Sequence, residues 1–282
     1  MHYHFKHRLR FIYASPATLE AQTLRLRPRE DGSQRVFTHH LAVKPDPSML
    51  SRALDEYGNV ETRAWFFGET PELEVEAEST VETIRVNPFD FLIDGAWMDL
   101  SWDNRLLAAR PALAPYLRRE RGRALLELSE KLKVEAGGQV LPFLLRLNRF
   151  LNENITYEIR PEGDPRSAEE TLSLGRGACR DLTVLFMALA RSQGIPARYV
   201  SGYHEGDPLK PNKELHAWAE VFLPGGGWRG FDPSVGLAVA DHHIALAAGP
   251  DPPDAAALSG VFTSAKPGSK METEVVFIND PS

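Results

Sequence analysis

Gly175-Arg176-Gly177-Ala178-Cys179-Arg180-Asp181 runs straight into a stretch where Leu182, Leu185, Phe186 and Leu189 recur at helical spacing. The glycine-rich approach breaks the chain, so Cys179 stands at the start of a helix whose buried face those four residues mark. Gly194, followed by Ile195-Pro196, stops that helix. Three strands follow at Ala197–His204, His216–Leu223 and Trp228–Asp232, the last two joined by the turn Pro224-Gly225-Gly226-Gly227. A helix laid on an antiparallel sheet is an α+β arrangement.

Cys179 is the only cysteine among 282 residues. A thiol has an ordinary pKa of roughly 8.5, and a helix start favours its thiolate through unpaired N–H groups and the helix dipole. Two residues follow that suit a thiol nucleophile: His216, in Leu215-His216-Ala217-Trp218-Ala219-Glu220-Val221, and Asp232, in Gly230-Phe231-Asp232-Pro233-Ser234. Residues two apart on a strand share a face, so His216, Trp218, Glu220 and Phe222 point one way and Trp228, Gly230 and Asp232 point together. A diagonal pairing across the hairpin lets Asp232 hold the His216 imidazole toward the thiol. Each residue alone has a plainer reading, as a packed cysteine, a structural histidine and a turn aspartate. Together and in this order they make a Cys-His-Asp acyl-transfer site, with the backbone N–H of Cys179 facing the developing oxyanion.

Upstream, residues 1–86 read as a β-rich region. Tyr3, Phe5, His7, Leu9 and Phe11 alternate with His4, Lys6, Arg8 and Arg10, and Leu24 and Leu26 alternate with Arg25 and Arg27. Further strand-like runs at Arg35–Lys44, Val60–Gly68 and Glu72–Val86 are divided by Pro45-Asp46-Pro47, Tyr57-Gly58-Asn59 and Glu69-Thr70-Pro71. Short strands separated by turn residues predict an antiparallel, sandwich-like region. Residues 87–160 form a helical connecting segment, with helices over Leu117–Leu132 and Val140–Asn154. Residues 161–282 form the core with a C-terminal strand at Glu272–Ile278. Ser167-Ala168-Glu169-Glu170 fits a capping box opening a short helix that ends near Gly175. The Pro- and Ala-rich Ala247–Leu258 reads as a surface connection.

Composition narrows the function classes. At 43% hydrophobic and 25% charged the chain can bury a sizeable core, and its net charge of −7 argues against nucleic acid or an anionic membrane as partner. One cysteine cannot make an internal disulfide, which fits a reducing compartment. No run reaches the roughly 20 apolar residues of a membrane span, and the start lacks a signal-peptide core. A cytoplasmic location is expected, while oligomeric state stays open. His2 with His4, His39-His40 and His242-His243 lack zinc spacing, so no metal or cofactor is expected. Asp181 is read either as pairing with an arginine near the site or as favouring the first helical turn through the dipole, with the second preferred. Arg118-Arg119-Glu120-Arg121-Gly122-Arg123 is a solvated face, and Tyr203 and Trp218 are candidates for lining the substrate pocket.

Four blocks resemble the transglutaminase-like superfamily: Gly177-Ala178-Cys179-Arg180-Asp181-Leu182, the segment from Gly194-Ile195-Pro196-Ala197-Arg198 to Gly202-Tyr203, His216-Ala217-Trp218-Ala219-Glu220-Val221, and Gly227-Trp228-Arg229-Gly230-Phe231-Asp232-Pro233. The opening segment, with Leu24-Arg25-Leu26-Arg27-Pro28 and Tyr57-Gly58-Asn59, is similar to the N-terminal region of the bacterial transglutaminase-like proteins. The resemblance implies a papain-like core with Cys179 as nucleophile, His216 as general base and acid, and Asp232 orienting the histidine. It implies amide acyl chemistry through a thioester on a peptide, protein or small amide, with water or an amine as acceptor. The chain departs from the family at Leu215, where a small polar residue is usual, and at Ser234-Val235-Gly236, which replaces Thr-Asn-Gly. Hydrolysis by a cysteine peptidase or amidase is the expected activity. Transglutaminase activity and a non-catalytic scaffold with a vestigial triad are the alternatives.

Overall fold

Alternation along the first strand sets the N-terminal half. The computed structural model describes residues 1–100, 105–118, 120, 122–160, 163–205 and 214–278. β1 (His2–Leu19) buries Tyr3, Phe5, His7 and Leu9, with Lys6, Arg8 and Arg10 on its other face. β2 (Gln22–Leu24), β3 (Gln34–Lys44), β4 (Met49–Leu54), β5 (Val60–Trp65) and β6 (Glu69–Thr83) complete the run. Lys6, Arg8 and Arg10 pair across strands with Glu76, Glu74 and Glu72 of β6. Exposed pairs of this kind are screened by water and contribute little, so the buried face carries the stability of the sheet. β4 escapes sequence reading because all six of its residues are exposed, leaving no alternation to find.

The period then becomes helical: α1 (Arg105–Ala109), α2 (Arg123–Glu135) and α3 (Val140–Asn154). The helix expected from Leu117 begins six residues later. Pro111 to Leu117 instead forms a 3-10 turn containing Pro115, whose ring removes a backbone donor and breaks α-helical bonding. α3 follows the pattern as read, burying Phe143, Leu144, Leu147 and Leu151. After β7 (Thr156–Tyr157) comes α4 (Ala168–Leu174), where Ser167 accepts from the Glu170 N–H at 3.2 Å. Gly175 ends α4 in the left-handed region at φ 63°, a conformation that a Cβ disfavours.

β8 (Arg176–Gly177) leads into α5 (Cys179–Ser192), which packs on β9 (Ala197–His204) and β10 (His216–Leu223). Leu182, Leu185, Phe186 and Leu189 are all buried, each contributing roughly 1.5–3 kcal/mol. β11 (Gly227–Asp232), β12 (Leu237–Ala238) and β13 (His243–Gly249) finish a five-stranded antiparallel sheet ordered β12-β11-β10-β9-β13. Part of the stretch expected to be a surface connection is therefore strand. β13 is buried at every residue, so it shows no polar face by which alternation could be recognised.

The chain then returns to its beginning. β14 (Leu258–Ser259) pairs with β2, β15 (Phe262–Ser264) pairs with β1, and β16 (Ser269–Ile278) lies antiparallel to β1 from His4↔Ile278 to Tyr13↔Ser269. The C-terminal strand, grouped with the core from its place in the chain, thus belongs to the N-terminal sheet. Pairing over such sequence distance leaves no local signal.

The two halves meet on β13. Its edge would otherwise offer unpaired backbone groups, and two side-chain amides stand in for a partner strand. The Gln34 Nε2 donates to the Ala245 carbonyl at 2.9 Å, and the Ala245 N–H donates to Gln34 Oε1 at 2.8 Å. Asn59 does the same with Ala248, at 2.9 and 2.8 Å. Tyr203, Ile244 and Leu246 join the sandwich core, so one apolar cluster runs across the junction.

Candidate active site

The nucleophile candidate occupies the first position of α5, where backbone N–H groups lie outside the helical ladder. Cys179 is 8% exposed. Its approach is held by Asp181, which is fully buried: Oδ2 accepts from the Ala178 N–H at 2.9 Å, and Oδ1 accepts from the Arg166 N–H at 2.8 Å and from Arg160 at 2.5 Å. Asp181 therefore fastens the nucleophile loop to Arg160 and Arg166, which is the arginine pairing weighed from sequence beside the preferred dipole role. Gly177 is required by the same clamp, since a Cβ there would lie 2.8 Å from that of Asp181. Parallel pairing of β7 with β8 sets Tyr157 opposite Gly177 and brings the phenol beside the sulfur.

His216 opens β10 and Asp232 closes β11. The register Phe222↔Trp228 and Glu220↔Gly230 makes their relation diagonal, as the strand pattern predicted. The His216 Nε2 lies 2.7 Å from Asp232 Oδ2. Nδ1 is the ring nitrogen left for the hydrogen bond between His216 and Cys179. Burial alone would push the imidazole pKa down. The Asp232 carboxylate, together with hydrogen bonds to Asp232 and Cys179, outweighs burial and raises it to about 10. Asp232 moves the opposite way. Burial disfavours its charge, yet His216 and His243 hold it well below the usual carboxylate range. Its second oxygen accepts from the Ser234 N–H at 3.0 Å and the Ser234 hydroxyl at 2.6 Å. Ser234 thus fills the place of the family's threonine with a working hydrogen-bond donor.

Sequence reasoning missed two histidines here. His243, on β13, places Nε2 3.1 Å from the same Asp232 oxygen. The His204 ring, on β9, lies 4.5 Å from His243 and 5.7 Å from His216 between centroids. Burial and the neighbouring imidazoles push His204 down to about 4. The adjacent pair His242-His243 was the available signal, weighed only for metal. Among the described residues, no group of three or more His, Cys, Asp or Glu side chains is arranged to hold an ion.

The sulfur faces a cavity of about 430 Å³ lined also by His216, Tyr157 and Tyr199. Its far wall comes from the other half of the molecule, with Leu9 from β1 and Met271 and Thr273 from β16. Tyr157, 49% exposed, and Ile159, 75% exposed, form a rim open to water. Past Tyr199, Ser201, Leu215 and Arg180 the cleft continues into a second cavity of about 790 Å³, bounded by Pro252, Pro253 and Leu258. Two pocket candidates lie elsewhere. Tyr203 is buried against Phe5 and bonds the His7 Nδ1 at 2.8 Å. Trp218 is buried edge-on to His243 at 5.2 Å, in space kept by Gly202, where a Cβ would meet the indole at 2.6 Å. Both are buried in apolar clusters, and neither lines the cavity.

A thiol, an imidazole and a buried carboxylate in a water-accessible cleft form the arrangement for nucleophilic attack with relayed protons. Residues 131–233 match the model of the transglutaminase-like superfamily, and residues 3–82 match that of the bacterial transglutaminase-like N-terminal region. The chain is 26% identical over 267 residues to an uncharacterized protein of Mycobacterium leprae, covering 91% of each. Over 102 residues it is 30% identical to a protein-glutamine gamma-glutamyltransferase of Pseudomonas aeruginosa, a stretch covering 33% of this chain and 15% of that one. A crystal structure of a candidate cysteine protease from Cytophaga hutchinsonii superposes with a TM-score of 0.71 at 23% identity, over 100% of this chain and 92% of that chain.

Proposed function

We infer, for a chain that belongs to the transglutaminase-like superfamily by its core and to the bacterial transglutaminase-like proteins by its N-terminal region, that Cys179 performs acyl transfer at amides. The observation that carries this reading is the His216–Asp232 pair, 2.7 Å apart, with His216 and Cys179 lining the same cavity. The Cys179 thiolate attacks the amide carbonyl, forming the S–C bond while the backbone N–H of Cys179 steadies the oxyanion. The His216 Nδ1 proton passes to the leaving amine as the C–N bond breaks, giving a thioester. Water then attacks, His216 takes its proton, and the C–S bond breaks to release the carboxylic acid and restore the Cys179 thiolate with protonated His216.

Water is the acceptor we favour, because the exposed rim at Tyr157 and Ile159 lets bulk water reach the thioester. Transfer to an amine is the second reading, favoured by the local likeness to the Pseudomonas aeruginosa gamma-glutamyltransferase. The cleft running on past Tyr199 suits an extended peptide. A lone thiol nucleophile also fits a reducing cytoplasm. Mass spectrometry of a glutamine-containing peptide incubated with the protein and a primary amine separates these readings. Deamidated or cleaved peptide in excess supports hydrolysis, whereas an amine adduct in excess overturns it in favour of transfer. No product, with Cys179 alkylated no faster than a free thiol, would make the chain a binding protein with a vestigial site.

A further inference from the structure

Asp232 Oδ2 is shared by two imidazoles, 2.7 Å from His216 and 3.1 Å from His243. The nucleophile mechanism uses only the first. His243 is 5% exposed, and its Nδ1 is buried without a hydrogen-bond partner among the described residues. An ionised carboxylate only accepts, so the His243 nitrogen facing it must carry a proton. A proton on Nδ1 as well would be a buried donor with nothing to bond. His243 is therefore a neutral imidazole in the Nε2–H form. Burial pushes its pKa down despite the carboxylate, in agreement with that assignment.

We propose that His243 is a positioning residue that shares the charge of Asp232, so that His216 is held in line yet gives up its proton more readily than it would to an unshared carboxylate. The proposal rests on the acyl-transfer reading above and adds to it a control on the acid. The surroundings are closed. Asp232 faces His243 from β11, His216 from β10 and His204 from β9, with His242 and Asp241 beside it on its own segment. Trp218 covers the ring edge-on. The two Ser234 bonds fix Oδ1, so loss of His243 would leave the carboxylate in place and change what Oδ2 shares.

The test is a pH titration of the intact protein with 15N-labelled histidine, followed by imidazole 15N–1H correlation spectra in the parent, His243→Leu and His243→Asn. In the parent, His243 is expected as the neutral Nε2–H tautomer at pH 7, with His216 cationic. In His243→Leu the His216 midpoint is expected to rise by up to about one pH unit, the shift that one lost hydrogen bond produces. In His243→Asn, whose amide can donate to the same oxygen, it should return toward the parent value. A charged His243 at pH 7, or the Nδ1–H tautomer, would overturn the proposal, and the parent spectrum reads this without any variant having to fold. An unmoved His216 midpoint in a folded His243→Leu protein would overturn it equally. A neutral parent His216 would instead count against the acyl-transfer reading itself.

Discussion

The candidate triad comes from three elements, and each side chain stands at the end of its element: Cys179 first in α5, His216 first in β10, Asp232 last in β11. These were legible because each needs a particular residue type in a particular local pattern. His243 and His204 were not, since their role comes from strand pairing: His243↔His204 sits two residues along from Gly202, which faces His216. The Asp232–His216 pair also makes stability depend on pH. The His216 pKa rises from 6.5 to about 10 on folding, so its contribution is complete below about 6.5 and is lost as pH climbs through about 10. Asp232 is held below its ordinary 3.8, so its contribution is present above that value and is lost as pH falls further. Urea unfolding of the parent against His216→Ala should accordingly show a stability gap that is widest between about pH 4 and 6.5 and closes toward pH 10. A gap that widens as pH rises from 7 to 10 would contradict the assignment.

At the scale of elements, α5 is the piece that periodicity described best, because one face is driven into a single sheet while its ends are marked by Gly177 and Gly194. β13 was the piece described worst, since a strand buried on both faces has the composition of any small apolar run. The start of α2 was read six residues early, at Leu117, where the chain is still closing a 3-10 turn. α5 also transmits packing to the site: Phe186 stacks on Phe231 with centroids 5.6 Å apart, one residue before Asp232. Leu185→Ala should therefore cost about 2–5 kcal/mol in urea unfolding, the range for a buried leucine truncation. A loss under about 1 kcal/mol would mean that α5 is less tightly seated than its full burial requires.

Across the whole molecule, the N-terminal region helps to build the candidate site. Leu9, Met271 and Thr273 wall the cavity, and Gln34 and Asn59 finish the edge of the sheet that carries His216 and Asp232. None of this can be read locally, for it depends on β16 returning to β1 and on side-chain amides replacing a strand. Asn59→Ala would strand the Ala248 N–H and carbonyl in the interior, at a cost on the order of 3 kcal/mol, and should lower the midpoint of one transition shared by both halves. Two separated transitions in the parent would contradict that coupling. Since the reactive sulfur exists only in this assembled cleft, its own reactivity is the most direct gauge of the site. The measurement is the rate of Cys179 alkylation by iodoacetamide between pH 5 and 9, in the parent and in His216→Ala. Alkylation at pH 6 far faster than that of a free thiol, and lost in His216→Ala, is the result expected of a coupled Cys-His-Asp site. A rate that tracks a free thiol across the range and ignores the substitution would contradict it.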